Sequence, residues 1–310
     1  MTTTDFENQA DALVTDFNKT WSPIPYQPPS ELFHYCGVDG MRGILTKQEI
    51  WLSNIEFLND VSEHLYTELL LREELRARLS TATGWTEMVL TFLMEAAGFT
   101  TNGIYRYAAC FCEKNDVLSQ WRGYGGTGGY AIGLDLRDLA QPPGEPTIPY
   151  LTLKVIYDRT EQVRLMREAM DRYLPFVMSR QVEAWWKSDP TEANRAAISS
   201  RFMRLTAPLF ASFKDAAWSE EAEWRLVALT GSHNLNNVEF RSRAGMVVPY
   251  RIYPFVKDGG RKLPITRVLI GPVGSAGSDI TARNSLAIFL RSLHLDKVPI
   301  QTSKVPIRFY

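Results

Sequence analysis

At 310 residues the chain could build one large core or two ordinary ones, since single cores stop growing at roughly 250–300 residues, and one elaborated domain is the preferred reading. Lys plus Arg nearly balance Asp plus Glu, leaving a formal net charge of −1, so no global field announces a polyanionic partner and only local basic patches stay open. Three cysteines without CxxC spacing (Cys36, Cys110, Cys112), four scattered histidines, an N-terminus lacking the basic and apolar regions of a signal peptide, and no apolar run near 18 residues argue against a disulfide scaffold, a zinc site and a membrane span; a cytoplasmic protein is expected.

Residues 1–30 end in Pro23, Pro25, Pro28 and Pro29, which disfavour helix, and read as an N-terminal arm leading into residues 31–310, a single α+β domain. A strand over 32–35, a small helix over 38–45 and a strand over 50–53 open that domain. Helical spacing over 59–79 and 86–97 gives an α insertion at about 60–98. In Asn59-Asp60-Val-Ser-Glu63 the Asp and the Glu three residues on match a capping box. Strands over 106–112 and 130–136 flank a Gly-rich loop at 123–129 and are expected in the middle of the sheet. After a further strand at 151–157, two long helical patterns, 161–187 and 191–217, split at Asp189-Pro190 and form a helical hairpin, a candidate protein-partner surface. Strands over 224–230, 246–252, 267–270 and 305–309 and a helix near 279–293 complete the chain. Helices and strands come in clumps, which favours a mixed, mainly antiparallel sheet over a doubly wound one.

Chemistry concentrates in a few segments. In Ser219-Glu-Glu-Ala-Glu-Trp-Arg225 the period-2 alternation of a strand puts Glu221, Glu223 and Arg225 on one face and Trp224, Leu226 and Ala228 on the other. Two carboxylates beside a guanidinium suit a site that stabilises a developing positive charge; a solvated Glu–Arg face is the plain alternative. Ser119-Gln120-Trp121-Arg122-Gly-Tyr124-Gly125, followed by more glycine, can offer backbone N–H groups and Arg122 to a diphosphate and Trp121 or Tyr124 as a stacking surface, or be a turn with a core tryptophan. His34, beside Tyr35, could hydrogen-bond a ribose hydroxyl, and Ser53 could face the same cleft. Cys110 and Cys112 share a strand face and read as buried thiols. No Walker A loop and no GxSxG elbow occurs, and the partial GxGxxA match at 126–131 precedes a strand instead of opening a helix. Arg241-Ser-Arg243 and the stretch 257–262 read as solvated basic loops, and as the best places for an anionic macromolecule.

His34-Tyr35 with Ile44-Leu45, Trp51-Leu-Ser-Asn54, Asn59-Asp60 with Glu63, Leu118-Ser-Gln-Trp-Arg-Gly-Tyr124, Glu221-Ala-Glu-Trp-Arg225, Ile270-Gly-Pro272 and Ser303-Lys-Val-Pro-Ile-Arg308 together resemble the bacterial family called domain of unknown function 2971, over about residues 31–309. More remotely the pattern is similar to ADP-ribosyltransferases. That resemblance implies their fold and a reaction on NAD⁺ as substrate, with His34 the first-strand contact, Tyr124 or Trp121 stacked on nicotinamide, Arg122 on the diphosphate and Glu223, with Glu221, the catalytic carboxylate. It departs from their pattern in lacking a Ser-Thr-Ser sequence after the His strand. It further implies transfer of ADP-ribose to a macromolecular acceptor, in the manner of a toxin or phage-defence effector. Two other classes stay open: a non-catalytic module binding a nucleotide or peptide in the same cleft, and a metal-dependent nucleic-acid-processing enzyme.

Overall fold

Strand β3 (Ile104–Cys112) organises the molecule, because its two edges are treated differently. In the computed structural model, which describes residues 1–20, 27–58, 63–97, 104–125, 128–137, 139, 142, 150–231, 234–243, 245–257, 260–272 and 278–306, one edge of β3 is paired along its whole length. There it runs antiparallel to β6 (Glu223–Gly231), from Ile104↔Gly231 to Cys112↔Glu223, and β5 (Tyr150–Lys154) adds outside β6. The other edge is shared. Strand β1 (Leu32–Cys36) meets it at Phe33↔Cys112, and β2 (Glu49–Asn54) at Ser53↔Ala108 and Asn54↔Tyr107.

The sheet therefore divides at β3. One branch continues from β1 through β4 (Tyr130–Leu134) and β11 (Ile265–Ile270) to β12 (Ile300–Thr302); the other continues from β2 through β8 (Met246–Pro254) to β7 (Val238–Arg243). Of these pairings only β11 with β12 is parallel. A separate pair, β9 (Val256–Lys257) and β10 (Gly260–Arg261), closes a small hairpin. The protein is thus α+β with a mostly antiparallel open sheet. Strands expected at 106–112 and 130–136 are present, but β1 lies between them. Arg241-Ser-Arg243, expected in a loop, belongs to β7. The expected strand at 305–309 is not one at Val305 and Pro306, and 307–310 lie outside the described residues.

Helix α2 (Val38–Lys47) links β1 to β2, and α9 (Ser278–Ser292) packs beside β11 and β12. The remaining long helices form a layer: α1 (Thr3–Thr20), α3 (Glu63–Leu79), α4 (Gly84–Ala97), α6 (Arg159–Val177), α7 (Arg180–Ser188) and α8 (Glu192–Phe210). The expected first helix of the hairpin is two, because Ser179 accepts the Val182 N–H and starts α7; Thr191 starts α8 in the same way through Asn194 N–H. The second stops at Phe210, and the chain then runs extended enough for Phe213 to bridge Ile156.

The N-terminal arm is corrected to a docked helix over Thr3–Thr20. Phe6, Ala10, Val14 and Phe17 recur at helical spacing and are buried, with Phe6 stacked on Trp185 at 4.7 Å between ring centroids. Each buried phenylalanine contributes roughly 1.5–3 kcal/mol, which outweighs the weak intrinsic signal of a polar segment. The prolines that suggested an arm fall after the helix; Pro23 and Pro25 lie outside the described residues. No helix among the described residues is long and apolar enough to cross a membrane.

Candidate active site

Where β1 and β2 part, β3 between Cys112 and Ala108 has no strand partner on that edge, so its backbone groups need other partners. The His34 ring supplies one: Nδ1 donates to the Cys110 carbonyl at 2.9 Å. That bond fixes the neutral tautomer with Nε2 as an acceptor. Burial lowers the His34 pKa, the bond to Cys110 opposes this, and the Arg241 charge lowers it further, so the ring is neutral at pH 7.

A cavity of about 630 Å³ occupies the division. Three consecutive β3 residues, Ala108, Ala109 and Cys110, line it, which a strand allows only where its edge is open. An adjoining recess of about 50 Å³ is lined by His34, Tyr35, Gln120, Tyr124, Glu221 and Glu223, among others.

The carboxylates sit in a buried ionic network. Glu223 begins β6, and its Oε1 accepts from Arg225 Nε at 2.8 Å while Oε2 accepts from Arg225 Nη2 and Lys214 Nζ, both at 3.1 Å. Lys214 Nζ also donates to Glu221 Oε2 at 2.5 Å and stands 4.8 Å from the Trp218 ring centroid. Arg225 in turn pairs bidentately with Glu63, Nη2 to Oε2 at 2.9 Å and Nη1 to Oε1, and donates to the Ala211 carbonyl at 3.0 Å. Three carboxylates thus surround two cations. Burial alone would raise the Glu223 pKa, but the charges of Arg225 and Lys214 more than offset it and bring it to about 2. Glu221 goes the other way: its burial, with repulsion from Glu223, outweighs Lys214 and raises it.

Two sequence expectations change here. Glu221 does not join Glu223 by strand alternation; it ends a 3-10 turn (Ala216–Glu221), and Ala222, in the left-handed region at φ 43°, turns the chain so that both carboxylates meet Lys214. Glu63, expected as a helix cap, begins α3 with its side chain committed to Arg225; Asn59 and Asp60 lie outside the described residues.

The segment Leu118–Gly125 is helical, the short α5 (Leu118–Gln120) running into a π turn (Trp121–Gly125). Trp121 is not a stacking surface for a ligand. It is fully buried, packs edge-on against Tyr35 at 4.7 Å, and donates Nε1–H to Asp116 Oδ1 at 2.7 Å. Asp116 also receives Ser303 Oγ at 2.5 Å and the Lys304 N–H at 2.8 Å, which joins this segment to the C-terminal motif. The glycines serve that packing: a Cβ on Gly129 would lie 2.2 Å from Gly125 Cα. Gly126 and Thr127 lie outside the described residues. Arg122, expected on the diphosphate, is exposed and lines neither cavity. Tyr35 spends its hydroxyl on the Lys114 carbonyl and the Val117 N–H.

Of the expected residues, then, His34, Tyr35, Gln120, Tyr124, Glu221 and Glu223 come together at the recess. Ser53 lines the larger cavity and accepts from Arg241 Nη2 at 2.7 Å. Sequence reasoning missed Lys214, Tyr157, whose hydroxyl accepts the Glu223 N–H at 3.1 Å, and Cys110, which lines the recess as a partly exposed thiol with its pKa raised by burial and by Glu223. Lys214 had no motif around it; it is reached only because the chain leaving α8 passes under β6.

Residues 120–226 match the family model described as a protein of unknown function, DUF2971. Over that segment the chain is similar to this family. The matched stretch spans the residues just described from Gln120 and the π turn to Lys214, Glu221, Glu223 and Arg225. No curated protein and no solved structure matches the chain.

Proposed function

We propose that the chain binds NAD⁺ in the division of the sheet, breaks the bond between nicotinamide and ribose, and transfers ADP-ribose to a macromolecular acceptor. The observation that carries this reading is the common recess of His34, Tyr124, Glu221 and Glu223, a neutral imidazole, an aromatic ring and two carboxylates that meet beside Cys110 of β3.

In this scheme the C–N bond breaks with its electron pair leaving on nicotinamide, and the ribose becomes an oxocarbenium ion. Glu223, held ionised by Arg225 and Lys214, supplies fixed negative charge to that cation without reorganising. His34 Nε2 accepts a ribose hydroxyl, and Tyr124, 37 % exposed, offers its ring to nicotinamide. Glu221 uses only Oε2 on Lys214 and has a raised pKa, which suits it to take the proton of the attacking acceptor as the new bond to ribose forms.

The test is nicotinamide release from NAD⁺ by the purified protein, with and without bacterial lysate as acceptor source, in the presence and absence of a chelator. Release that survives chelator and falls in Glu223→Gln is expected. No release from the wild-type protein under any of these conditions would overturn the reading.

A further inference from the structure

Another wall of the same cavity has the opposite electrostatic character. There the β2–β8–β7 branch presents Trp51 and Ser53 from β2 and Arg241 and Arg243 from β7. Paired antiparallel residues share a face, so Ser53, Tyr250 and Glu239 lie in one row and Trp51, Arg241 and Arg243 on the same side. Arg241 reaches across β8 to donate Nη2–H to Ser53 Oγ, and its guanidinium lies 5.9 Å from the Trp51 ring centroid. Trp51 stacks on Tyr250 at 4.3 Å, is 37 % exposed, and has the Lys47 ammonium 5.8 Å from its ring.

Arg241 is not satisfied by this arrangement. Its Nε is buried without a hydrogen-bond partner, and among the described residues no carboxylate pairs with it. Glu49, on the same face, is taken by the Trp51 Nε1–H and by Lys47. A buried donor without an acceptor costs about 1–3 kcal/mol, so a structural role alone does not account for the residue. The Nε and Nη edge of a guanidinium matches two oxygens of one phosphate.

We infer that Arg241, with Ser53 and the Trp51 ring, forms a phosphate-binding subsite for a diphosphate ester that carries a flat ring. The phosphate takes the Arg241 edge, and Trp51 provides the wall against which an attached ring lies. Placed with the carboxylate recess in one cavity, the subsite gives the ligand a polarity: phosphate toward β7, a cationic or cation-forming centre toward Glu223. The inference deepens the proposed NAD⁺ reading but does not need turnover.

Calorimetric titration of the full chain with inorganic pyrophosphate and, separately, with ADP-ribose tests it. Wild type is expected to bind both, ADP-ribose the more tightly. Arg241→Gln should weaken both by about 10- to 100-fold, the effect of losing charge-assisted hydrogen bonds. Trp51→Ala should weaken ADP-ribose alone, and Arg122→Ala neither. Arg241→Lys, which keeps the charge but not the fork, should fall between wild type and Arg241→Gln, and it serves if the glutamine variant does not fold. Pyrophosphate affinity unchanged in Arg241→Gln or Arg241→Lys, or no binding of either probe to wild type, would overturn the subsite. Binding of both probes without nicotinamide release would instead remove the catalytic reading and leave the subsite standing.

Discussion

Arg225 on β6 and Glu63 at the start of α3, 162 residues apart, form a bidentate ion pair that solvent does not reach: their side chains are 1 % and 2 % exposed. Sheet and helical layer are joined by this pair. Removing one partner leaves the other charge buried alone, so Glu63→Ala or Arg225→Ala should cost about 3–5 kcal/mol. Denaturant unfolding monitored by tryptophan fluorescence measures this. A loss below about 1 kcal/mol would mean that water enters the network.

Glu223 and Glu221 should separate in activity and stability. Under the proposed reaction Glu223→Gln lowers nicotinamide release by about 10²–10³, the usual loss when one preorganised charge contact is removed. It also destabilises the fold, because Arg225 and Lys214 lose their shared anion. Glu221→Gln should leave the unfolding midpoint near that of wild type and slow only transfer to the acceptor. Single-turnover release and acceptor labelling, followed side by side with thermal unfolding, distinguish the two.

Stability should depend on acid in two steps. The His34 pKa is lowered in the folded state, so the protein gains stability from it above the ordinary histidine value of about 6.5 and loses that contribution as pH falls below it. Glu223, held at about 2, contributes above its unfolded value of about 4.5 and loses that contribution as pH falls toward 2. Glu221, raised, has the opposite sign: its ionisation weighs against folding, and protonation relieves it. Net stability should therefore decline from pH 7 to pH 5 and then more steeply. Replacing His34 by Phe should flatten the first decline in an unfolding series across pH.

Ala222 holds φ at 43°, where a side chain crowds the following carbonyl. Ala222→Gly should relieve this by roughly 1 kcal/mol, partly offset by the greater freedom of glycine in the unfolded chain. The expected outcome is an unchanged or slightly raised melting temperature with the carboxylate network intact. A clear fall would mean that the turn is not strained.

Much of this was legible because local rules and tertiary structure agree. His34 falls on a strand in a short apolar run, and Glu223 opens a strand whose two faces alternate, so both could be placed from period alone. The failures have physical causes. Strand β7 reads Val-Glu-Phe-Arg-Ser-Arg, with polar residues facing the cavity, and no burial pattern marks it. Helix α1 is polar over most of its length and declares itself only by four buried positions that match α6, α7 and α8. The glycine and tryptophan of the Leu118–Gly125 segment suggested a ligand loop because their spacing suits one equally well; the partner that decides otherwise, Asp116 with Ser303, is 187 residues apart. Lys214 is invisible to any local rule, since it is important only through the path the chain takes between α8 and β6.

The fork in the sheet also dictates when a site can exist during synthesis. Glu63 emerges from the ribosome 162 residues before Arg225. At about 5–20 residues per second the nascent chain spends about 8–32 s with Glu63 made and Arg225 absent. From the time β3 is made until the interval ends it lacks β6, with Glu223 and Arg225, and the recess is not there. A chain cut short before β6 carries His34 and Tyr124 yet should be inert, so any activity of this protein is born only with its last third.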